Sequence, residues 1–303
     1  MSSAMRPPQT PANGRPLVRV SELAVTYNGS GRGGAEPVHA LRGVSLEVCP
    51  GETVGLVGES GSGKTTLGRA LLGLVAPSSG EVRFDGAPVS GRGAGRRLRG
   101  RLQVVLQNPD WSLNPSLRVW RSVAEPLAIT RSVSRRERRR AVDAMLELVG
   151  LDPVLAERRP HELSGGQRQR VAIARAMITK PSLIVFDEAV TALDASVQTQ
   201  VLNLIQDLQA ERGFAAVFIS HDLAAVRYVS RRIAVAYQGE LVETGPVERF
   251  YGEPEHPYTR QLMSTLPTVE REPASPDASW PENAPPLSED AHGTSRKDPR
   301  HGG

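Results

Sequence analysis

The chain is poor in cysteine, in lysine and in long apolar runs, and each shortage excludes something. Cys49 is the sole cysteine among 303 residues, so neither an internal disulfide nor a cysteine-built zinc or iron–sulfur cluster can form within one chain. No stretch approaches the roughly 20 consecutive apolar residues that a membrane-crossing helix needs. Residues 1–16 are polar and proline-rich without the apolar segment of a secretory signal, and a cytoplasmic location is the expectation. Lysine occurs only at Lys64, Lys180 and Lys297, so the formal charge of +4 is carried almost wholly by arginine. The arginine runs at 96–99 and 135–140 have no aromatic residues between them. That pattern predicts solvated helix and loop faces rather than a stacking surface, and no nucleic-acid partner is expected.

What is present is one large α/β pattern. Length alone allows one such domain or two small ones. Apolar, β-rich runs at 17–27, 53–57, 183–186, 215–219 and 233–236 predict strands. Helical stretches are expected at 64–74, 135–148, 167–177 and 195–209, and their alternation with strands argues a largely parallel sheet. The folded region is expected to span 16–268. The N-terminus (1–15) and the proline-rich tail (269–303) have the composition of disordered segments, and the glycines at 29–34 read as a flexible loop.

The segment Gly58-Glu59-Ser60-Gly61-Ser62-Gly63-Lys64-Thr65 fits G-x-x-x-x-G-K-[ST], with an apolar strand before it and a helix after it. That context predicts a phosphate loop. Backbone amides from Gly58, Ser60, Gly61, Gly63 and the following Thr65 and Thr66 would wrap the phosphates of ATP. Lys64 would reach the β/γ oxygens, and the Thr65 hydroxyl would ligate Mg²⁺. Downstream, Leu183-Ile184-Val185-Phe186-Asp187-Glu188 is a buried-strand run ending in two carboxylates. Its end would set Asp187 near the metal and leave Glu188 to polarise an attacking water.

A second phosphate-facing element lies far along the chain. In Leu163-Ser164-Gly165-Gly166-Gln167 a serine and a glycine pair open a helix-forming run, so unpaired amides and a positive dipole would face an anion. Leu-Ser-Gly-Gly-Gln resembles the signature of ATP-binding-cassette (ABC) ATPases, whose nucleotides lie sandwiched between two subunits. The resemblance implies a P-loop cassette with a RecA-like parallel core, an antiparallel β subdomain and a small helical subdomain near 110–170. It implies ATP hydrolysis, with ATP and Mg²⁺ as cofactors. It also implies roles by position. Tyr27 resembles the aromatic that stacks on adenine, and Gln107 the glutamine that contacts Mg²⁺ and the water near the γ-phosphate. Ser164, Gly165, Gly166 and Gln167 would clamp the partner's nucleotide. Asp194, in Thr191-Ala192-Leu193-Asp194, would lie at the dimer interface, and His221 would sense the γ-phosphate. One departure is Ala189, where the family usually has proline, and a looser backbone into the following loop is expected.

Within the family, Gln107 and Leu163 stand 56 positions apart, room for a helical subdomain but not for the coiled-coil arms of chromosome or DNA-repair ATPases. One cassette, not two, argues against a soluble translation factor acting on ribosomes. The remaining reading is the energising subunit of a membrane importer. The segments 107–115 and 194–201, with His256-Pro257-Tyr258-Thr259 in an element near 250–268, resemble oligopeptide, dipeptide and nickel importers, and the segments 38–41 and 219–223 look like the second of that branch's two distinct ATPase subunits. That branch implies a peptide or related solute, a second ABC ATPase chain (identical or different), two transmembrane permeases and, indirectly, an extracytoplasmic solute-binding protein. The chain would then sit on the cytoplasmic face of the plasma membrane. Trp111 either touches the permeases or packs in the helical subdomain.

Overall fold

Short runs of apolar residues build an inner sheet whose strands are buried on both faces. The computed structural model describes residues 15–27, 36–130 and 133–264. These belong to a compact unit, Met1–Leu266, and the second unit, Pro267–Gly303, lies outside them. The segments read as disordered (1–15, apart from Arg15, and 269–303) and the loop at 29–34 likewise fall outside the described residues.

The strands are β1 (Val18–Tyr27), β2 (Val38–Val48), β3 (Thr53–Val57), β4 (Ser79–Phe84), β5 (Ala87–Pro88), β6 (Leu102–Leu106), β7 (Leu183–Asp187), β8 (Ala215–Ile219), β9 (Arg232–Tyr237) and β10 (Glu240–Pro246). The helices are α1 (Lys64–Leu71), α2 (Ala94–Leu98), α3 (Val119–Thr130), α4 (Arg135–Leu148), α5 (Gly165–Met177), α6 (Ala195–Arg212), α7 (Leu223–Val229), α8 (Val247–Gly252) and α9 (Pro257–Ser264). A six-stranded sheet runs β10-β9-β3-β8-β7-β6, parallel except for β10, and a four-stranded antiparallel sheet runs β2-β1-β4-β5.

Side-chain alternation decides the layering. On β7 and β8, Ile184, Phe186, Ala216 and Phe218 face one apolar cluster, which they share with α3, α4, α5 and α6. Leu183, Val185, Val217 and Ile219 face the other, shared with α1 and the antiparallel sheet. Both faces are covered, as parallel strands require. In the antiparallel sheet the alternation changes phase: Val18 and Val20 are buried, then Leu23 and Val25. A bulge at Glu22, which has φ 45°, absorbs the extra residue.

Helix boundaries follow local chemistry. The stretch expected to be helical to 74 stops at Leu71, because Gly73 adopts a left-handed φ of 69°. α6 runs past Gln209 to Arg212 and is ended by Gly213 at φ 68°. α4 opens with a reciprocal cap: Ser134 Oγ accepts from Glu137 N, and the Glu137 carboxylate accepts from Ser134 N. Its arginines lie on the solvated side, with Arg139 paired to Asp143 and Glu157, while Val142, Met145 and Leu146 turn inward. That is the face expected for the 135–140 run.

Candidate functional site

Sheet register builds the site. Leu106 stands opposite Asp187, Asp187 opposite Ile219, and Ile219 opposite Leu56. Because β6, β7, β8 and β3 are parallel, the residues just past this row leave the same sheet edge: Gln107, Glu188, Ser220 and, one residue after Val57, Gly58. Ligands of open parallel sheets bind at this carboxyl edge.

The loop from Gly58 to Gly63 turns tightly between β3 and α1. Gly58 has φ 144°, and a Cβ there would stand 2.1 Å from Ala236 O, so only glycine fits. Lys64 folds back into the loop: its Nζ donates to Gly58 O at 2.8 Å and to Glu59 O at 2.6 Å. Burial draws the ammonium below the ordinary lysine value, and Glu188, Asp187 and Glu59 oppose that shift. The Thr65 hydroxyl donates to Asp187 Oδ1 at 3.4 Å. Burial pushes the Asp187 carboxyl above its ordinary value; the Thr65 hydroxyl opposes this, and Glu188 adds to it. Ser60 and Gly61 are exposed at the loop's crest, and Thr66 is half-buried in the first turn of α1.

Glu188 has a left-handed backbone, φ 52°, a costly state for a glutamate and one that concentrates at functional sites. It is held by its own N–H donating to Ile219 O at 2.9 Å and by Thr191 Oγ1 donating to Glu188 O at 2.8 Å. Ala189 and Val190 are buried behind it. The segment after Ala189 is closed by Thr191 N donating to Glu188 O at 3.3 Å and Leu193 N donating to Val190 O at 3.2 Å. His221 Nδ1 lies 3.5 Å from Glu188 Oε2, with the histidine largely exposed. The structure thus brings Lys64, Thr65, Asp187, Glu188 and His221 together. Gln107 is exposed beside them at the end of β6.

The other predicted residues lie apart from this group. Tyr27 ends β1 with 41% of its surface exposed, opposite Val38. Ser164 caps α5: Gln167 N donates to its Oγ, and Ser164 N donates to Gln167 Oε1. The Gln167 side chain is thus engaged in the cap. Gly165 and Gly166 supply the first amides of α5, which no helical carbonyl can pair. A Cβ on Gly165 would meet nothing within 4 Å, whereas one on Gly166 would strike Val197 of α6. Asp194 caps α6, accepting from Val197 N and Ser196 Oγ; the Val197 amide, first, then the hydroxyl hold its carboxyl below the usual range.

Sequence reasoning did not single out Asp222, Glu243 or the contact made by Tyr258. Asp222 caps α7 and also accepts from Gln198 Nε2, tying α6 to the segment that carries His221. An N-terminal Asp before a helical run was the available signal for it. Trp111, left open between core and surface, is 75% exposed in a short turn, Pro109–Trp111. Asp110 beside it lies 3.3 Å from Arg168 of α5.

The hydroxyl–carboxylate pair of Thr65 and Asp187 fits a hard oxygen-preferring cation such as Mg²⁺. Among the described residues no group of three or more His, Cys, Asp or Glu could hold a metal alone. The donors suit an ion that completes its shell with phosphate and water.

A family model described as ABC transporter matches residues 41–191. The di/tripeptide transport ATP-binding protein DppF of Pseudomonas aeruginosa is 46% identical over 270 residues, covering 88% of this chain and 82% of DppF. The chain belongs to the ABC transporter family. The glutathione import ATP-binding protein GsiA of Pectobacterium atrosepticum is 46% identical over 265 residues, which cover 86% of this chain but only 42% of GsiA. Among solved structures, the dimeric post-hydrolysis state of the cassette MJ0796 bound to ADP and Pi matches with a TM-score of 0.68. It shares 31% identity, over 76% of this chain and 98% of that one. The ABC cassette is an ATP-binding, ATP-hydrolysing unit, and its α/β fold is the one described above.

Proposed function

We propose that this chain is one of two cassettes that hold ATP and Mg²⁺ between them and drive a membrane importer for a peptide or related small solute. One observation carries the reading: Lys64, Thr65, Asp187, Glu188 and His221 share one sheet edge, while Ser164 and Gly165 open a capped helix elsewhere, exposed and with free space above Gly165. The chain holds both halves of a sandwich, and the second half faces outward.

In this mechanism Tyr27 supports the base. Amides from Gly58, Ser60, Gly61, Gly63, Thr65 and Thr66 cradle the phosphates, and Lys64, still held by Gly58 O, exchanges its bond to Glu59 O for phosphate oxygens. Thr65, Asp187 and Gln107 are the residues that would hold Mg²⁺; when bound, the ion neutralises charge on the β and γ phosphates. Glu188 takes a proton from the attacking water, with its carboxylate aimed by the strained backbone. His221, 3.5 Å from that carboxylate, holds the γ-phosphate oxygen. Ser164, Gly165 and Gly166 grip the nucleotide on the partner chain, with Gln167 fixing the cap that aims them. Asp194 sits at the interface by shaping the start of α6.

Among the described residues no helix is long and apolar enough to cross a membrane. Attachment to the cytoplasmic face of the plasma membrane then falls to two permease subunits, which meet the exposed Trp111. The Asp110–Arg168 pair links that contact to α5. The solute class follows the names of DppF and GsiA, and an extracytoplasmic binding protein would supply the solute.

The test is ATP-driven association. With MgATP, Glu188→Gln should form a species of twice the cassette mass, with itself or with a second cassette chain supplied. Adding Ser164→Arg should abolish it, because the arginine would fill the space meant for the partner's phosphate. Association that survives Ser164→Arg would contradict a shared site.

A further inference from the structure

The segment after the last strand reaches back to the phosphate loop. Tyr258, at the start of α9, is 7% exposed, and its hydroxyl accepts a hydrogen bond from Glu59 N at 3.0 Å. The same peptide unit presents its carbonyl, Gly58 O, to Lys64 Nζ at 2.8 Å. One peptide plane therefore stands between the tyrosine hydroxyl and the lysine ammonium, and its N–H and C=O are engaged from opposite sides. Gly58, at φ 144° and with Ala236 O where a Cβ would go, gives that plane little room on its third side.

The tyrosine is itself held in place. Its ring stacks on Tyr237, the last residue of β9, with centroids 4.1 Å apart. Its amide donates to His256 Nδ1 at 3.2 Å. The loop before it is pinned by Glu243 of β10, whose carboxylate accepts from Glu255 N and His256 N, each at 3.0 Å. A chain of contacts thus runs from β10 through the His256 turn and Tyr258 to the peptide that receives Lys64.

We infer that Tyr258 is a positioning residue for ATP binding: its hydroxyl orients the Gly58–Glu59 peptide and, through it, Lys64. The inference rests on the phosphate-loop reading above. The loop keeps one geometry before nucleotide arrives, so less ordering is needed when ATP binds. The element after the cassette becomes part of the nucleotide site without touching the nucleotide.

Tyr258→Phe removes the hydroxyl and keeps the ring on Tyr237. ATP affinity, measured by equilibrium titration of the full-length chain, should weaken about fivefold, the scale of one neutral hydrogen bond. The KM for ATP should rise by more than kcat falls, and the melting temperature without nucleotide should stay close to that of the unaltered chain. A second variant, Tyr258→Leu, removes the stacked ring as well and should weaken ATP further. Wild-type ATP affinity in Tyr258→Phe would overturn the inference, as would a loss of affinity matched by an equal loss of thermal stability. Failure of the unaltered chain to bind ATP would instead overturn the phosphate-loop reading, and the inference with it.

Discussion

At the residue scale, Lys64 and Glu188 show how much chemistry the fold concentrates on single side chains. In a chain that carries its positive charge almost entirely as arginine, Lys64 sets one compact ammonium against two carbonyls, 2.8 and 2.6 Å away, inside the loop, where arginine would bring a larger planar fork. Lys64→Arg should weaken ATP binding more than about tenfold while the fold persists, read by titration and by circular dichroism. Unchanged affinity would mean that Lys64 is a loop brace and not a phosphate ligand. Glu188→Gln keeps the shape and removes the proposed base. ATP should still bind, and turnover should fall by about 10²–10⁴-fold. These two residues were legible in the sequence because their neighbours are local: glycines set the loop, and an apolar strand delivers the acid. Tyr258's partner was not legible, since it lies 199 positions away and no periodicity links a tyrosine to a distant amide.

At the element scale, the inner strands and the helices between them announced themselves through continuous apolar runs. The antiparallel sheet was harder to read: β1 changes phase at Glu22, and β4 and β5 are short. α3 contains Pro126, a helix breaker in a sequence reading, yet the helix continues through it to Thr130, whose hydroxyl donates to Pro126 O at 2.7 Å. The attachment of α9 depends on Glu243. Burial alone would raise the pKa of this carboxyl, but the amides of Glu255 and His256 outweigh it and hold the group below the ordinary glutamate range. A depressed folded-state value contributes stability above the unfolded value of about 4.3, and that contribution fades as pH falls through the lower, folded value. Glu243→Ala leaves two amides without their acceptor. It should cost about 2–3 kcal/mol, with melting falling by about 5–10 °C at pH 7. The gap from wild type should narrow below about pH 4. A gap independent of pH would show that packing, not the charged acceptor, holds the element.

At the scale of the whole molecule, one chain carries both elements that the proposed shared site would draw from two chains: the phosphate loop and the exposed, Ser164-capped start of α5. The exposed Trp111 neighbours Asp110, which pairs with Arg168 of α5. Trp111→Ala should leave melting within about 2 °C, since an exposed side chain contributes little to packing. The same change should lower transport-coupled ATPase in the assembled system. Equal coupling in the variant would move the permease contact elsewhere. The most direct measurement is to recover tagged Glu188→Gln with MgATP from detergent-solubilised membranes of the organism that encodes it, and to identify what accompanies it. The account predicts two multispanning proteins and a cassette ATPase partner. Recovery of ribosomes or DNA, or of no membrane protein at all, would contradict it.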